Sequence, residues 1–131
     1  MPLKSRDLAI QAAEAALKKK ALDVIILDLS GLTFIADFFV ICSGESTTQV
    51  KAVAEFIEQE FANKRLKPLG VEGAAYSHWI LLDYGDVIIH VFEKETRAYY
   101  NLEKLWMDAK TIEIDEDKID MAWKDKRAIH P

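Results

Sequence analysis

One cysteine, Cys42, stands alone in the 131 residues. That count excludes an internal disulfide and a multi-thiolate metal site. Cys42 falls in the apolar run FFVIC, which offers no cation to favour a thiolate, so a buried and inert thiol is expected. Histidine is nearly as scarce. His78, His90 and His130 have no spacing that makes a ligand cluster, and neither a metal nor another cofactor is expected. No apolar run approaches the ~20 residues of a membrane helix, so no membrane partner is expected. The opening MPLKSRD lacks the apolar centre of a signal peptide, and Asp7, Glu14 and sparse arginine argue against a transit peptide. A cytoplasmic location is the expectation. Positive charge is also short, with 17 Lys and Arg against 22 Asp and Glu, a formal net charge of −5. Free nucleic acid is therefore a poor direct partner, because phosphate binding is driven by lysine and arginine. A basic protein fits better.

What is present suits one α/β domain. Half the residues are apolar, and the length allows one hydrophobic core. Residues 5–20 read as a helix, with Ser5 as N-cap, Asp7 in the first turn and the lysine triplet 18–20 as a solvated C-terminal end. Residues 24–29 and 37–43 read as strands. The link between them is too short for a crossover helix, so they should pair antiparallel. Ser43-Gly44-Glu45-Ser46 forms a turn, and Ser46 or Thr47 caps a helix that ends near Arg65. Val50, Val53, Ala54, Ile57 and Phe61 make its apolar stripe. Residues 67–71 suggest an edge strand limited by Pro68, followed by a loop at 72–75. Residues 94–100 and 101–106 read as short helical pieces. Residues 107–131 are charged and weakly periodic, and read as a loosely ordered tail with a brief helix at 115–123.

The segment WILLDYGDVIIHVF, residues 79–92, is the most informative. Gly85-Asp86 suits a two-residue hairpin turn, which pairs Tyr84 with Val87 and Trp79 with Phe92. Alternation then sorts the side chains onto two faces. Ile80, Leu82, Tyr84, Val87, Ile89 and Val91 form a core face. Trp79, Leu81, Asp83, Ile88, His90 and Phe92 form the other. Aromatic rings mixed with a carboxylate and an imidazole suit recognition, since rings supply area and polar groups fix orientation. A cross-strand Trp79–Phe92 pair and an Asp83–His90 hydrogen bond are the plainer reading.

Two catalytic readings compete. Asp83 with His90 resembles an acid–base pair, with Cys42 or Ser43 as nucleophile, but almost any chain of this size offers those residues. The turn at 43–46 before a helix resembles a phosphate cradle, as in a magnesium-dependent nucleotidyltransferase. Glu45 would repel a triphosphate, and Asp83 and Asp86 do not match an Asp-x-Asp metal pair. A structural N-cap explains the turn more cheaply.

The strings LDLSGLTFIADFFVICSGESTTQVKAVA (27–54), KPLGVEG (67–73), WILLDYGDVIIHVF (79–92) and TRAYYNLEKLW (96–106) resemble the Iojap, or ribosomal silencing factor, family in order and spacing. The resemblance implies one domain over residues 1–106, with 107–131 outside it. It implies a mixed sheet with helices mainly on one face, similar to nucleotidyltransferases. It also implies a non-catalytic function. Such proteins bind the large ribosomal subunit through its fourteenth protein at the subunit interface, block joining of the small subunit and repress translation, and some are linked to subunit biogenesis. Trp79 aligns with the family's tryptophan at that contact and is the expected anchor. Asp83, Tyr84 and Asp86 are expected near the contact and Glu72 at its rim, with His90 on the same face. Tyr84 would reach a partner only by its ring edge, because the register turns it to the core. Tyr99, Tyr100 and Glu103 are further candidates. A self-complementary face forming a homodimer is an alternative.

Overall fold

The computed structural model describes residues 4–112 and 114. Among these, four helices and a six-stranded sheet follow the order α1 (Ser5–Lys18), β1 (Leu22–Asp28), β2 (Phe38–Gly44), α2 (Thr47–Ala62), β3 (Gly70–Glu72), β4 (Trp79–Asp83), β5 (Val87–Glu93), α3 (Lys94–Tyr100), α4 (Leu102–Leu105) and β6 (Lys110–Ile112). The sheet order is β3-β4-β5-β2-β1-β6. Only β2 and β5 pair parallel, and the other neighbours are antiparallel. The expected antiparallel pairing of the first two strands is met.

Apolar spacing dictates which face each helix covers. Val50, Val53, Ala54, Ile57 and Phe61 are all buried on α2, and α1 contributes a row of small alanines with Leu8. Small residues let α1 lie close to the sheet. Both helices pack on Ile26, Val40, Ile80, Leu82, Ile89 and Val91 in one large core. Fully burying an aliphatic side chain of this size contributes roughly 1.5–3 kcal/mol. The opposite face carries a smaller cluster, Leu27, Phe39, Ile41, Ile88 and Phe92, partly roofed by Leu102 and Trp106. The helices therefore lie mainly on one face, as expected.

Local chemistry explains the ends. Ser46 caps α2 by accepting the Gln49 N–H at 3.2 Å. Ser5 does not cap α1. It is the first helical residue, and its hydroxyl donates to Asp37 Oδ2 at 3.3 Å. The helix stops at Lys18, two residues short of the expected end, and Lys20 adopts a positive φ of 60°. Lys18 pairs with Glu60, and Lys19 lies over the Phe56 ring. Three residues assigned to the tail, Lys110–Ile112, instead form β6 and pair with Ile26, Leu27 and Asp28. The helix expected at 115–123 lies outside the described residues.

Candidate functional site

The β4–β5 hairpin builds the candidate surface. Tyr84 N–H donates to the Val87 carbonyl at 2.9 Å across Gly85-Asp86. Gly85 takes φ +86°, which a glycine adopts without strain. The register that follows pairs Asp83 with Ile88, Leu81 with His90 and Trp79 with Phe92, as the alternation predicts. The Asp86 carbonyl accepts from the N–H groups of Asp37 and Phe38, at 2.8 and 3.1 Å, which ties the turn to the start of β2.

The mixed face divides into a buried half and an open half. Phe92 is fully buried and His90 is 3% exposed, whereas Trp79, Leu81 and Asp83 on β4 stay partly exposed. The expectation that His90 belongs to the open surface is thus not met. Phe39 closes on it edge-on, with ring centroids 4.6 Å apart, and Trp106 packs in turn on Phe39. Burial pushes the His90 imidazole down to about 4, so it is neutral near pH 7. Its Nδ1 accepts the Trp79 indole N–H at 3.1 Å. Asp83 Oδ1 accepts instead from the Gly85 N–H, at 2.8 Å, closing the turn. The Asp83–His90 hydrogen bond of the plainer reading is therefore replaced by two others, while its Trp79–Phe92 pair is present.

Trp79 is bracketed by aromatic rings. It stacks on Phe92 at 4.7 Å and 27°, and Tyr100 lies tilted against it at 5.1 Å. Tyr99 meets Tyr100 edge-on and is 83% exposed. Around these rings, Glu72 on β3 is exposed and pairs with Leu81, so it points to the same side of the sheet. Asp86 is exposed at the turn. Trp79, Asp83, Glu72 and Tyr99 therefore lie on one flank of the sheet, beside the open edge strand β3.

Two expected contact residues are engaged within the chain. Tyr84 packs edge-on against Phe61 at 4.8 Å in the helix-side core, and burial pushes its hydroxyl up to about 12. Glu103 pairs with Arg97 Nε at 3.4 Å. Arg97 was not singled out from the sequence, yet its Nη1 donates to the Asp23 carbonyl and the Ser43 hydroxyl, both at 2.8 Å. Asp23 presents that carbonyl from a bulge in β1, where φ is +47° and the register slips between Leu22 and Ile25. Arg97 thereby clamps α3 to the sheet, and α3 carries Tyr99 and Tyr100. Only the string TRAYYNLEKLW pointed there.

The turn at 43–46 is occupied by its own chain. The Glu45 N–H donates to Gln49 Oε1 at 2.7 Å, and Gln49 Nε2 donates to the Lys20 carbonyl at 3.1 Å. Cys42 is fully buried, and burial pushes its thiol up to about 12. Among the described residues no His, Cys, Asp and Glu cluster has the arrangement of a metal site, and no helix is long and apolar enough to cross a membrane.

Fold and surface together define an α/β binding domain with an aromatic, acid-rimmed flank. The family model described as "Ribosomal silencing factor during starvation" matches residues 2–130. Ribosomal silencing factor RsfS of Halalkalibacterium halodurans is 42% identical over 113 residues, 86% of this chain and 97% of that protein. The protein of the same name from Bacillus subtilis is 43% identical over 104 residues, covering 79% and 88%. A crystal structure of a protein from Chromobacterium violaceum matches with a TM-score of 0.77 at 34% identity, over 79% of this chain and 87% of that one. The chain belongs to the ribosomal silencing factor family, a group of non-enzymatic regulators of translation.

Proposed function

We propose that this protein binds the free large ribosomal subunit in the cytoplasm, through the basic fourteenth ribosomal protein at the subunit interface. Bound there, it blocks the small subunit sterically and represses translation. The observation that carries the reading is the open flank around Trp79, where stacked rings are rimmed by Glu72, Asp83 and Asp86. A partly exposed indole supplies contact area at small conformational cost, and surrounding carboxylates favour a cationic partner. Family membership supports the ribosome as the target. Were the same flank self-complementary, two copies would pair through it, and such a dimer would compete with the ribosome.

Co-sedimentation tests the reading. The protein should travel with purified large subunits and not with assembled ribosomes, and it should slow subunit joining in a light-scattering assay. Trp79→Ala should weaken binding by about 2 kcal/mol or more, as removal of a central aromatic anchor does. Full-strength binding by that variant would rule out the proposed anchor.

A further inference from the structure

Phe92 and Tyr100 bracket the Trp79 ring, but stacking alone accepts the indole in either of two flipped orientations. A directional contact is needed to choose between them. The hydrogen bond from Trp79 Nε1 to His90 Nδ1, at 3.1 Å, is that contact. His90 lies on the same sheet face, paired with Leu81, one step along the hairpin from Trp79. Its own ring is fixed from two sides, by the Phe39 edge at 4.6 Å and by Phe92 lying near-parallel at 6.1 Å.

A histidine is a costly choice for this position. It is 3% exposed, and its Nε2 has no hydrogen-bond partner among the described residues. A buried donor left unpaired is unfavourable, and an apolar ring of similar size would avoid the cost. Among the described residues, the one hydrogen bond the His90 side chain makes is the one it accepts from Trp79.

We propose that His90 is a positioning residue for docking: by accepting the indole N–H it locks Trp79 in its binding orientation before the partner arrives. The proposal rests on the reading of Trp79 as anchor. Locking a side chain in advance removes an ordering cost from association. It also satisfies the indole N–H within the chain, so the ribosomal surface meeting Trp79 need supply no acceptor. Without His90 the indole would turn to hydrate its N–H, and binding would have to reverse that.

Variants of the full chain separate this role from simple packing. His90→Phe keeps a buried ring and removes the acceptor. His90→Asn removes volume but places an amide oxygen close to where Nδ1 stood. Affinity for purified large subunits should fall about tenfold or more in His90→Phe. His90→Asn, although the less stable protein, should recover most of that loss. In a Trp79→Phe background, His90→Phe should change affinity no further. In the free wild-type protein, NMR should show scalar coupling across the N–H···N bond of the Trp79 indole, a readout that needs no variant to fold.

The positioning role is overturned if His90→Phe binds as tightly as wild type, if His90→Asn binds as poorly as His90→Phe, or if the coupling is absent. A Trp79→Ala variant that loses binding in the same series shows that the anchor reading survives such a result. Full binding by Trp79→Ala would instead remove the anchor itself.

Discussion

Replacing Gly73 with alanine separates two costs that usually arrive together. Gly73 has φ +85°, and a Cβ there would land on the backbone carbonyl oxygen of Trp79, with the carbonyl carbon only 3.1 Å away. The left-handed backbone costs an alanine about 1–2 kcal/mol. The clash is with main chain at the start of β4, so no side chain can swing aside. Relieving it requires the 73–78 loop to move, and that loop is tied by Ser77 N–H to the Gly73 carbonyl at 2.9 Å and by the Ser77 hydroxyl to the Ala74 carbonyl at 3.0 Å. Overpacking of this kind adds roughly 1–3 kcal/mol. The total, on the order of 2–5 kcal/mol, should lower Tm by roughly 10 °C or more for a domain of this size. Gly85→Ala is the control for backbone alone. Its φ is +86°, and the nearest atom to a Cβ is Leu69 Cδ1 at 3.6 Å, an ordinary contact. It should cost only the backbone share, about 1–2 kcal/mol, or roughly 4–8 °C. Gly70→Ala has open space and should stay within about 0.5 kcal/mol of wild type. Thermal melts by circular dichroism read all three. If Gly73→Ala melts with Gly85→Ala, the close approach to Trp79 is not there, and the account of how β4 is seated is wrong.

Other outcomes follow from buried polar groups. Arg97→Ala should cost about 1.5–3 kcal/mol in urea denaturation, because charge-assisted bonds to Asp23 and Ser43 are lost. It should also raise the exposure of Tyr100 to hydrogen–deuterium exchange on α3. His90 is held at about 4 when folded, below its ordinary 6.5, so the unfolded chain takes up the extra proton. Its contribution is therefore full above pH 6.5 and lost as pH falls toward 4. That loss, on the order of 3 kcal/mol, should appear as a fall in the wild-type minus His90→Phe stability difference between pH 6.5 and 4. Cys42 should resist a thiol reagent in the native protein and react at once in denaturant.

The hairpin was legible because two independent signals agreed. Gly85-Asp86 fixed the turn and with it the register, and the face that register assigns to the core is nearly all aliphatic. The α2 stripe was legible for the same reason, as period and cap coincide at Ser46 and Val50–Phe61. What was missed depends on distant partners. Arg97 reaches residues 54 and 74 positions away, and no local pattern announces that. Ser5 has the chemistry of an N-cap, yet Asp37, 32 residues on, takes its hydroxyl. β6 is three residues long and carries no alternation of its own; it exists because β1 offers an edge. The division of the mixed face was likewise hidden. Sequence placed Trp79 and His90 on one side of the sheet, but His90 sits on an inner strand under the Phe39 ring, which Trp106 backs, while Trp79 lies on β4 beside the edge strand.

The polar groups that a catalytic reading would use are engaged within the chain, as fits a family of non-enzymatic regulators. In an α/β domain with a turn before a helix, the free backbone N–H groups of that turn are where an anionic substrate would bind. Here the Glu45 N–H is taken by Gln49 Oε1 and the Gln49 N–H by the Ser46 hydroxyl, and Gln49 Nε2 ties the turn to the Lys20 carbonyl. Of the two described histidines, His78 pairs through Nδ1 with Glu93, and His90 is neutral, enclosed by Phe39 and Phe92, and turned toward an indole that is a donor rather than a reacting group. Polar groups that elsewhere would serve chemistry are thus committed to holding shape. What stays open is Trp79 with Glu72, Asp83 and Asp86 nearby on the hairpin side, and under the proposed function its grip would lie in fixed rings and long-range charge. An interaction built on charge at its rim weakens with salt, whereas one built on buried rings does not. Raising ionic strength should therefore slow association with large subunits while leaving the dissociation rate nearly unchanged, and Trp79→Ala should do the reverse. If salt instead speeds dissociation and spares association, the carboxylates are in the buried centre of the contact and the rings are at its margin.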